Sequence, residues 1–328
     1  MKIFVTRKVP GDSLEKLKVA GNEVTISEFD RPLTGEELIE RGKGADALLT
    51  LLTDRVDGDL MDAVGPQLKV ISNYAVGFDN VDVKGATDRG IVVSNTPSDE
   101  VNEAVAEHTW ALILSLARRI VEADEATRRG GYKGWEPDIF LAPSLIGKTL
   151  GIVGLGRIGS MVARRAKGYN MAVLYNKHEP DPKAEAELGV KFSSLDELLA
   201  ASDFVSLHVP LNDETRGMIN KTTLAKMKQG SYLVNTARGP VVCEHDLVEA
   251  IRSGHIKGAA LDVYENEPDI NPELIGMENV VLTPHIASGT YEARNKMGEQ
   301  AVSAILDFAQ GKAPENIVNK EVWEKRRK

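Results

Sequence analysis

Residues 149–160, Thr149-Leu150-Gly151-Ile152-Val153-Gly154-Leu155-Gly156-Arg157-Ile158-Gly159-Ser160, place the spacing Gly-x-Gly-x-x-Gly directly after a short apolar run. The run 149–153 reads as a buried strand, and 157–166 as the helix that follows it. In that setting Gly154 makes the tight turn and Gly156 lets the backbone approach a pyrophosphate. Gly159 lets the helix pack closely on the sheet. The helix N-terminus, at Arg157 and Ile158, offers N–H groups and a positive dipole end to phosphates. The stretch therefore predicts a dinucleotide site in a parallel α/β domain.

The end of the next strand, read at 171–175, bears on which dinucleotide fits. An NAD site places an acid about 20 residues beyond the glycine loop to accept from a ribose hydroxyl. That place holds Asn176, followed by Lys177 and His178. A neutral amide beside a cation removes repulsion toward a 2′-phosphate, which favours NADP(H). The alternative is a plain polar loop from which Glu179 or Asp181 reaches the ribose of NAD.

Outward from this stretch the chain repeats itself. Residues 1–94 alternate β-rich runs at 2–6, 24–27, 47–52, 70–74 and 91–94 with helical stretches at 13–19, 35–43 and 59–63. The second half repeats that design from 149 onward, with strands near Val173, Phe204, Tyr232, Ala259 and Val280. Between the halves, 100–129 reads as one long helix. Its apolar face around Trp110–Leu116 is broader than one domain's core requires, so it is expected at a domain junction or dimer contact. The helix at 290–310 is expected to return to the first domain and make it discontinuous.

Composition narrows the class. A chain of 328 residues holds two domains, and a net charge of −9 argues against a general nucleic-acid binder. The single cysteine, Cys243, excludes intrachain disulfides and is read as a core residue. No signal peptide, membrane span or zinc-like ligand spacing is found, so a soluble cytoplasmic protein without a metal site is expected. Beyond the glycine loop come Arg238, Glu267 and His285, in the order of an anion clamp and a carboxylate-backed acid. Singly, Arg238 could cap a carbonyl, Glu267 could belong to a turn and His285 to a loop. His208 reads as a buried strand histidine near the cofactor. His108, His178, His245 and His255 show no partner and are assigned no chemistry.

Residues 149–160 (TLGIVGLGRIGS), 207–215 (LHVPLNDET), 233–239 (LVNTARG), 260–268 (ALDVYENEP) and 282–288 (LTPHIAS) together resemble the successive signatures of the D-isomer-specific 2-hydroxyacid dehydrogenases. Residues 73–82 (NYAVGFDNVD) resemble that family's substrate loop, and 133–137 and 285–297 its glyoxylate/hydroxypyruvate reductase branch. The resemblance implies an α/β chain of two doubly wound parallel-sheet domains. One is a Rossmann-type cofactor domain at 100–286, the other a discontinuous flavodoxin-like substrate domain at 1–99 plus 287–328.

The resemblance also implies the catalytic set Arg238, Glu267 and His285. Arg238 would hold the carboxylate of a 2-oxo acid with its planar fork, His285 would protonate the ketone oxygen as hydride arrives, and Glu267 would orient His285 and favour its charged form. Substrate contacts are implied at Leu52, at the backbone N–H groups of Val76 and Gly77, and at Ser288. Trp135 would come from the neighbouring subunit of a homodimer. Besides Gly154, Gly156, Arg157, Ile158, Gly159, Asn176 and Lys177, cofactor contacts are implied at His208, Pro210, Thr215, Thr236, Ala237, Asp262, His285 and Ala287. Asp262 is expected near the nicotinamide end, tuning the His285–Glu267 pair.

One segment departs from that branch. Residues 96–107 (TPSDEVNEAVAE) place Val105 where many glyoxylate-reducing relatives carry threonine, and the text at 102–108 is closer to other branches, phosphoglycerate dehydrogenases included. D-3-phosphoglycerate or another D-2-hydroxy acid therefore stays open as substrate. From another class, a dinucleotide-sensing corepressor-like binding protein stays open as well.

Overall fold

The structure is a computed structural model that describes residues 1–327. Twelve strands are present among them: β1 Lys2–Val5, β2 Glu23–Ile26, β3 Ala47–Leu51, β4 Val70–Tyr74, β5 Val92–Ser94, β6 Thr149–Val153, β7 Ala172–Asn176, β8 Lys191–Phe192, β9 Phe204–Leu207, β10 Ser231–Asn235, β11 Ile256–Leu261 and β12 Val280–Leu282. They form two wholly parallel sheets, ordered β2-β1-β3-β4-β5 and β12-β11-β10-β9-β6-β7-β8. The first order is the flavodoxin-like one. The second is the Rossmann order extended by one strand, and in such open sheets ligands bind at the carboxyl ends of the strands.

The chain divides into two compact units, residues 1–101 with 289–328 and residues 102–288. In the first, Phe4, Leu48, Ile71 and Val93 face one way, toward Leu38, Met61 and Ala86 of the helices Gly35–Gly42, Gly58–Val64 and Val83–Asp88. On the opposite face of the sheet, helix Tyr291–Ala309 packs on β4 and on helix Ser13–Val19. There the hydroxyls of Ser72 and Tyr74 donate to the carbonyls of Ala301 and Arg294 at 2.9 and 2.7 Å.

The second unit has two cores because successive strand residues point to opposite faces. Leu150, Ile152, Phe204 and Val234 belong to one core, with Trp110, Ile113, Val162 and Ala163 from helices Asp99–Ala117 and Arg157–Ala166. Val153, Val205, Leu207 and Leu233 belong to the other, with Leu198, Leu224 and Leu247. Each large aliphatic residue buried in this way contributes about 1.5–3 kcal/mol.

The stretch expected as one helix is two, Asp99–Ala117 and Ile120–Arg128. The break falls at Arg119, which adopts the left-handed conformation at φ 52°. No glycine or proline marks it. The guanidinium of Arg119 instead pairs with Glu122 and lies 5.1 Å from the centre of the Phe140 ring. The broad apolar face is also used differently from the expectation. Trp110, Leu112, Ile113 and Leu116 are all buried in the core of the second unit, where the Trp110 indole donates to the Val162 carbonyl at 3.0 Å and stacks on Tyr169. Cys243 is half-buried and precedes helix Glu244–Arg252 rather than sitting in a core. No helix of the described residues is long and apolar enough to cross a membrane.

Candidate functional site

Residues of the second unit that the sequence singled out gather beyond the carboxyl ends of its parallel strands. After β6, Gly154 turns the chain at φ 99°, and a Cβ there would stand 2.6 Å from the His208 carbonyl oxygen. A Cβ at Gly159 would stand 2.2 Å from the Gly154 carbonyl oxygen, so the helix approaches the strand this closely only because residue 159 is glycine. At Gly156 nothing lies within 4 Å, which leaves the N-terminus of helix Arg157–Ala166 open to an incoming group. Arg157 is exposed and Ile158 half-buried in its first turn.

Along the rim, Asn176 ends β7 and donates its amide to the Ser193 carbonyl at 3.1 Å. Lys177 is exposed and pairs with Asp181 at 3.1 Å, while Asp181 caps helix Pro182–Leu188. His208 follows β9, with Nε2 2.9 Å from the Ser206 hydroxyl. Desolvation pushes its imidazole down to about 4, so the ring is neutral near pH 7. Pro210 and Thr215 close the loop after it, the Thr215 hydroxyl donating to the Pro210 carbonyl at 2.6 Å.

Past β10, Thr236 is buried with its hydroxyl 2.9 Å from that of Thr109. The amide of Asn235 donates to the Arg238 carbonyl at 2.9 Å, and its oxygen accepts from the Ala237 N–H at 3.0 Å. These bonds shape the loop that presents the half-buried Arg238. Gly239 packs so tightly on the segment leading to Glu267 that a Cβ would stand 1.7 Å from the Tyr264 carbonyl oxygen. The Arg238 loop and the Glu267 loop therefore abut.

His285 Nδ1 lies 2.8 Å from Glu267 Oε2, and the other carboxylate oxygen accepts the Tyr264 N–H at 3.0 Å. A carboxylate only accepts, so Nδ1 carries a proton in this pair. His285 adopts the left-handed conformation at φ 53°, which costs a non-glycine residue about 1–2 kcal/mol. The turn is held by Asp262, which is fully buried after β11. Its carbonyl accepts the His285 N–H at 2.9 Å, and its carboxylate accepts the N–H groups of Ile286 and Ala287 at 2.9 and 2.8 Å. Burial alone would raise the Asp262 pKa. Hydrogen bonds from His108, Thr283, Ile286 and Ala287 outweigh it and hold the carboxyl below its ordinary range.

Sequence reasoning gave His108 no partner. In the structure its Nε2 is 3.1 Å from the Thr283 hydroxyl and 3.4 Å from Asp262. The spacing of 154 and 175 residues in sequence left no local signal for these contacts. Three histidines outside the site also have neighbours: His178 near Glu214 at 3.8 Å, His245 near Asp246 at 3.6 Å and His255 near the Leu224 carbonyl at 3.1 Å. Val105 is buried in helix Asp99–Ala117 and accepts the Thr109 hydroxyl at its carbonyl.

In the first unit Leu52 follows β3, and Val76 and Gly77 follow the neighbouring β4. Asn95 donates to the Val76 carbonyl at 2.7 Å and Asn73 to the Gly77 carbonyl at 3.2 Å. Because a peptide is planar and trans, fixing the Val76 carbonyl also fixes the direction of the Gly77 N–H. Asn73 and Asn80 exchange amide hydrogen bonds at 3.0 and 3.2 Å, and Asn80 also donates to the Leu51 carbonyl at 3.1 Å. This amide network was not foreseen from the sequence. Trp135 is 83% exposed, and Ser288 is half-buried at the end of the second unit.

Residues 110–287 match the family description "D-isomer specific 2-hydroxyacid dehydrogenase, NAD binding domain". Over 325 residues the chain is 48% identical to a glyoxylate reductase of Thermococcus kodakarensis, covering 98% of this chain and 97% of that one. The chain belongs to the D-isomer-specific 2-hydroxyacid dehydrogenases. Solved structures agree with this membership. A protein of Thermus thermophilus superimposes with a TM-score of 0.90 at 43% identity, covering 97% of this chain and 100% of that one. An NADPH-dependent glyoxylate/hydroxypyruvate reductase of Sinorhizobium meliloti gives 0.85 at 32% identity, covering 100% and 99%. As a member of this family the protein is an oxidoreductase, and its cofactor is a nicotinamide dinucleotide. The open Gly156 and the close-packed Gly154 and Gly159 fit the pyrophosphate of such a cofactor.

Proposed function

We propose that this dehydrogenase reduces a small 2-oxo acid, glyoxylate or hydroxypyruvate, to the 2-hydroxy acid, of D configuration where the product is chiral. The observation that carries this reading is the 2.8 Å His285–Glu267 pair, in a turn built on a buried carboxylate beside the loop of Arg238. Relatives named glyoxylate reductase support the substrate class.

Residues 102–288 serve as the dinucleotide domain, and residues 1–101 with 289–328 as the substrate domain. When bound, the nicotinamide supplies the hydride. Gly154, Gly156, Arg157, Ile158 and Gly159 hold the pyrophosphate, and Asn176 and Lys177 face the adenosine ribose. His208, Pro210, Thr215, Thr236, Ala237, Asp262 and Ala287 line the rest of the cofactor site. Arg238 binds the substrate carboxylate with two parallel N–H donors, assisted by the N–H groups of Val76 and Gly77. Leu52 and Ser288 border the substrate. As the carbonyl carbon gains hydride, His285 passes its Nε2 proton to the ketone oxygen, and Glu267 holds the ring through Nδ1.

NADPH is the preferred reductant in this reading, since no acid stands at position 176. The Lys177–Asp181 pair is solvent-exposed and worth about 0–1 kcal/mol, so a 2′-phosphate can compete for Lys177. The protein acts as a homodimer in which Trp135 borders the neighbouring subunit's substrate. Exposure of Tyr132, Trp135 and Leu141 in one segment supports a surface that another protein surface covers.

The test is loss of reduced-cofactor absorbance with glyoxylate, hydroxypyruvate and a panel of larger 2-oxo acids, run with NADPH and NADH, together with the reverse reaction on D-3-phosphoglycerate. Rapid NADPH oxidation by glyoxylate or hydroxypyruvate is expected. A protein that binds dinucleotide but turns over none of these would be a sensor, and one selective for D-3-phosphoglycerate would overturn the substrate assignment.

A further inference from the structure

We propose that His108 is a positioning residue for His285, acting through Thr283 and Asp262. This inference rests on the proposed role of His285 as the acid. His108 lies on helix Asp99–Ala117, an element separate in sequence from the loops that carry the acid, the anion clamp and the glycine turn, and its side chain reaches the ends of β11 and β12.

The protons in the network can be assigned from the donor and acceptor inventory. The Thr283 hydroxyl donates to Asp262 Oδ1 at 2.6 Å. A carboxylate has no proton to give in return, so the single hydroxyl hydrogen is committed to that bond. At 3.1 Å from His108 Nε2 the Thr283 oxygen is therefore the acceptor, and Nε2 carries a hydrogen. The same N–H lies 3.4 Å from Asp262 Oδ1, so it is shared between hydroxyl and carboxylate.

Asp262 in turn accepts from Ile286 and Ala287 through its carboxylate and from His285 through its carbonyl. Thr283, at the start of the turn, is fixed twice more: its carbonyl accepts the His285 N–H at 3.0 Å and the Tyr264 hydroxyl at 2.8 Å. The left-handed backbone of His285 is thus held by bonds that converge on Asp262 and Thr283. His108 is the side chain through which helix Asp99–Ala117 reaches both of them. Its 18% side-chain exposure keeps water from substituting freely for the missing donor. With the His108 donor removed, the Asp262–Thr283 pair can relax, and His285 moves away from its productive position while Arg238 and the glycine loop stay in place.

Two substitutions separate this role from simple packing. His108→Leu fills space but donates nothing, and His108→Gln keeps an N–H donor at similar reach. For 2-oxo acid reduction, His108→Leu is expected to lower kcat about 10-fold with KM within about 2-fold, and His108→Gln to recover most of the loss. Reduced-cofactor affinity, followed by fluorescence, should match wild type in both variants. Crystal structures of the ligand-free variants supply the independent readout: the 285 turn should be displaced or disordered in the leucine variant and retained in the glutamine variant. Wild-type kcat in His108→Leu, equal losses in both variants, or an unmoved 285 turn in the leucine variant would overturn the proposal. If wild-type protein reduces no oxo acid, the proposed function fails, and the two crystal structures still decide whether His108 holds the turn.

Discussion

In the first unit the loop after β4 is held by the neutral amides of Asn73, Asn80 and Asn95, whereas in the second the turn after β12 is wrapped round the carboxylate of Asp262. Amide hydrogen bonds fix a peptide plane without adding charge, which suits the anion-binding role proposed for the N–H groups of this loop. A buried carboxylate holds its turn more firmly, because charge-assisted hydrogen bonds are roughly twice as strong as neutral ones. The difference teaches that the loop assigned to binding is arranged by groups that do not titrate, and the turn assigned to proton transfer by groups that do. The second unit should therefore show the larger mutational effects and the steeper dependence on pH.

The sharpest break in that comparison would come from His285. His285→Ala should lower kcat by roughly 100-fold or more while leaving cofactor affinity close to wild type. Steady-state kinetics and a cofactor titration would measure both, and a near-wild-type kcat would remove the charged turn from the mechanism.

Acid sensitivity of the second unit comes next. His208 has its folded-state value lowered to about 4 from 6.5. An imidazole held neutral by desolvation contributes stability that is full above the unfolded value. It is lost as pH falls from about 6.5 to about 4, a change of at most about 3 kcal/mol. Asp262, held below its ordinary range, contributes in a more acidic window: its share is present above about 3.9 and disappears as pH falls through its folded value. Urea unfolding of wild type and His208→Gln at several pH values between 4 and 7 should show a shallower dependence in the variant. Parallel curves would mean that His208 does not supply this slope.

Arg238→Lys keeps the charge and loses the fork, so kcat/KM for the 2-oxo acid should fall about 30-fold, or about 2 kcal/mol, with KM raised and kcat lowered. Unchanged kinetics would leave anion binding to the backbone N–H groups of the first unit. For cofactor choice, Asn176→Asp should shift the NADPH/NADH ratio of kcat/KM about 10-fold toward NADH, equivalent to about 1.4 kcal/mol. A wild type that already prefers NADH would count against the assignment of Lys177.

The smallest effect is expected in the amide-held loop. Asn95→Ala frees the Val76 carbonyl and should raise KM for the oxo acid about 5-fold, near 1 kcal/mol, with kcat little changed. A loss of kcat as large as that from His285→Ala would erase the contrast between the two units.

Periodicity and turn chemistry were enough to read most of the architecture, because both are local. The apolar run 149–153 and the glycines after it define strand, turn and helix within 18 residues, and the structure has Thr149–Val153 and Arg157–Ala166 as read. The ordered text around Arg238, Glu267 and His285 pointed to the family, and the structure brings Glu267 and His285 into contact. Tertiary structure decided what depends on partners distant in the chain. Arg119 breaks a helix that carries no local breaker, where its guanidinium lies over the ring of Phe140 from beyond the following helix. The apolar face at Trp110–Leu116 is spent on the core of its own unit, and periodicity alone cannot say which surface covers an apolar stripe. His108 meets Asp262 across 154 residues, and Asn95 meets Val76 only because their loops leave adjacent strands. A hydrogen bond is set by distance and direction in space, and sequence specifies these only where the chain between the partners is short.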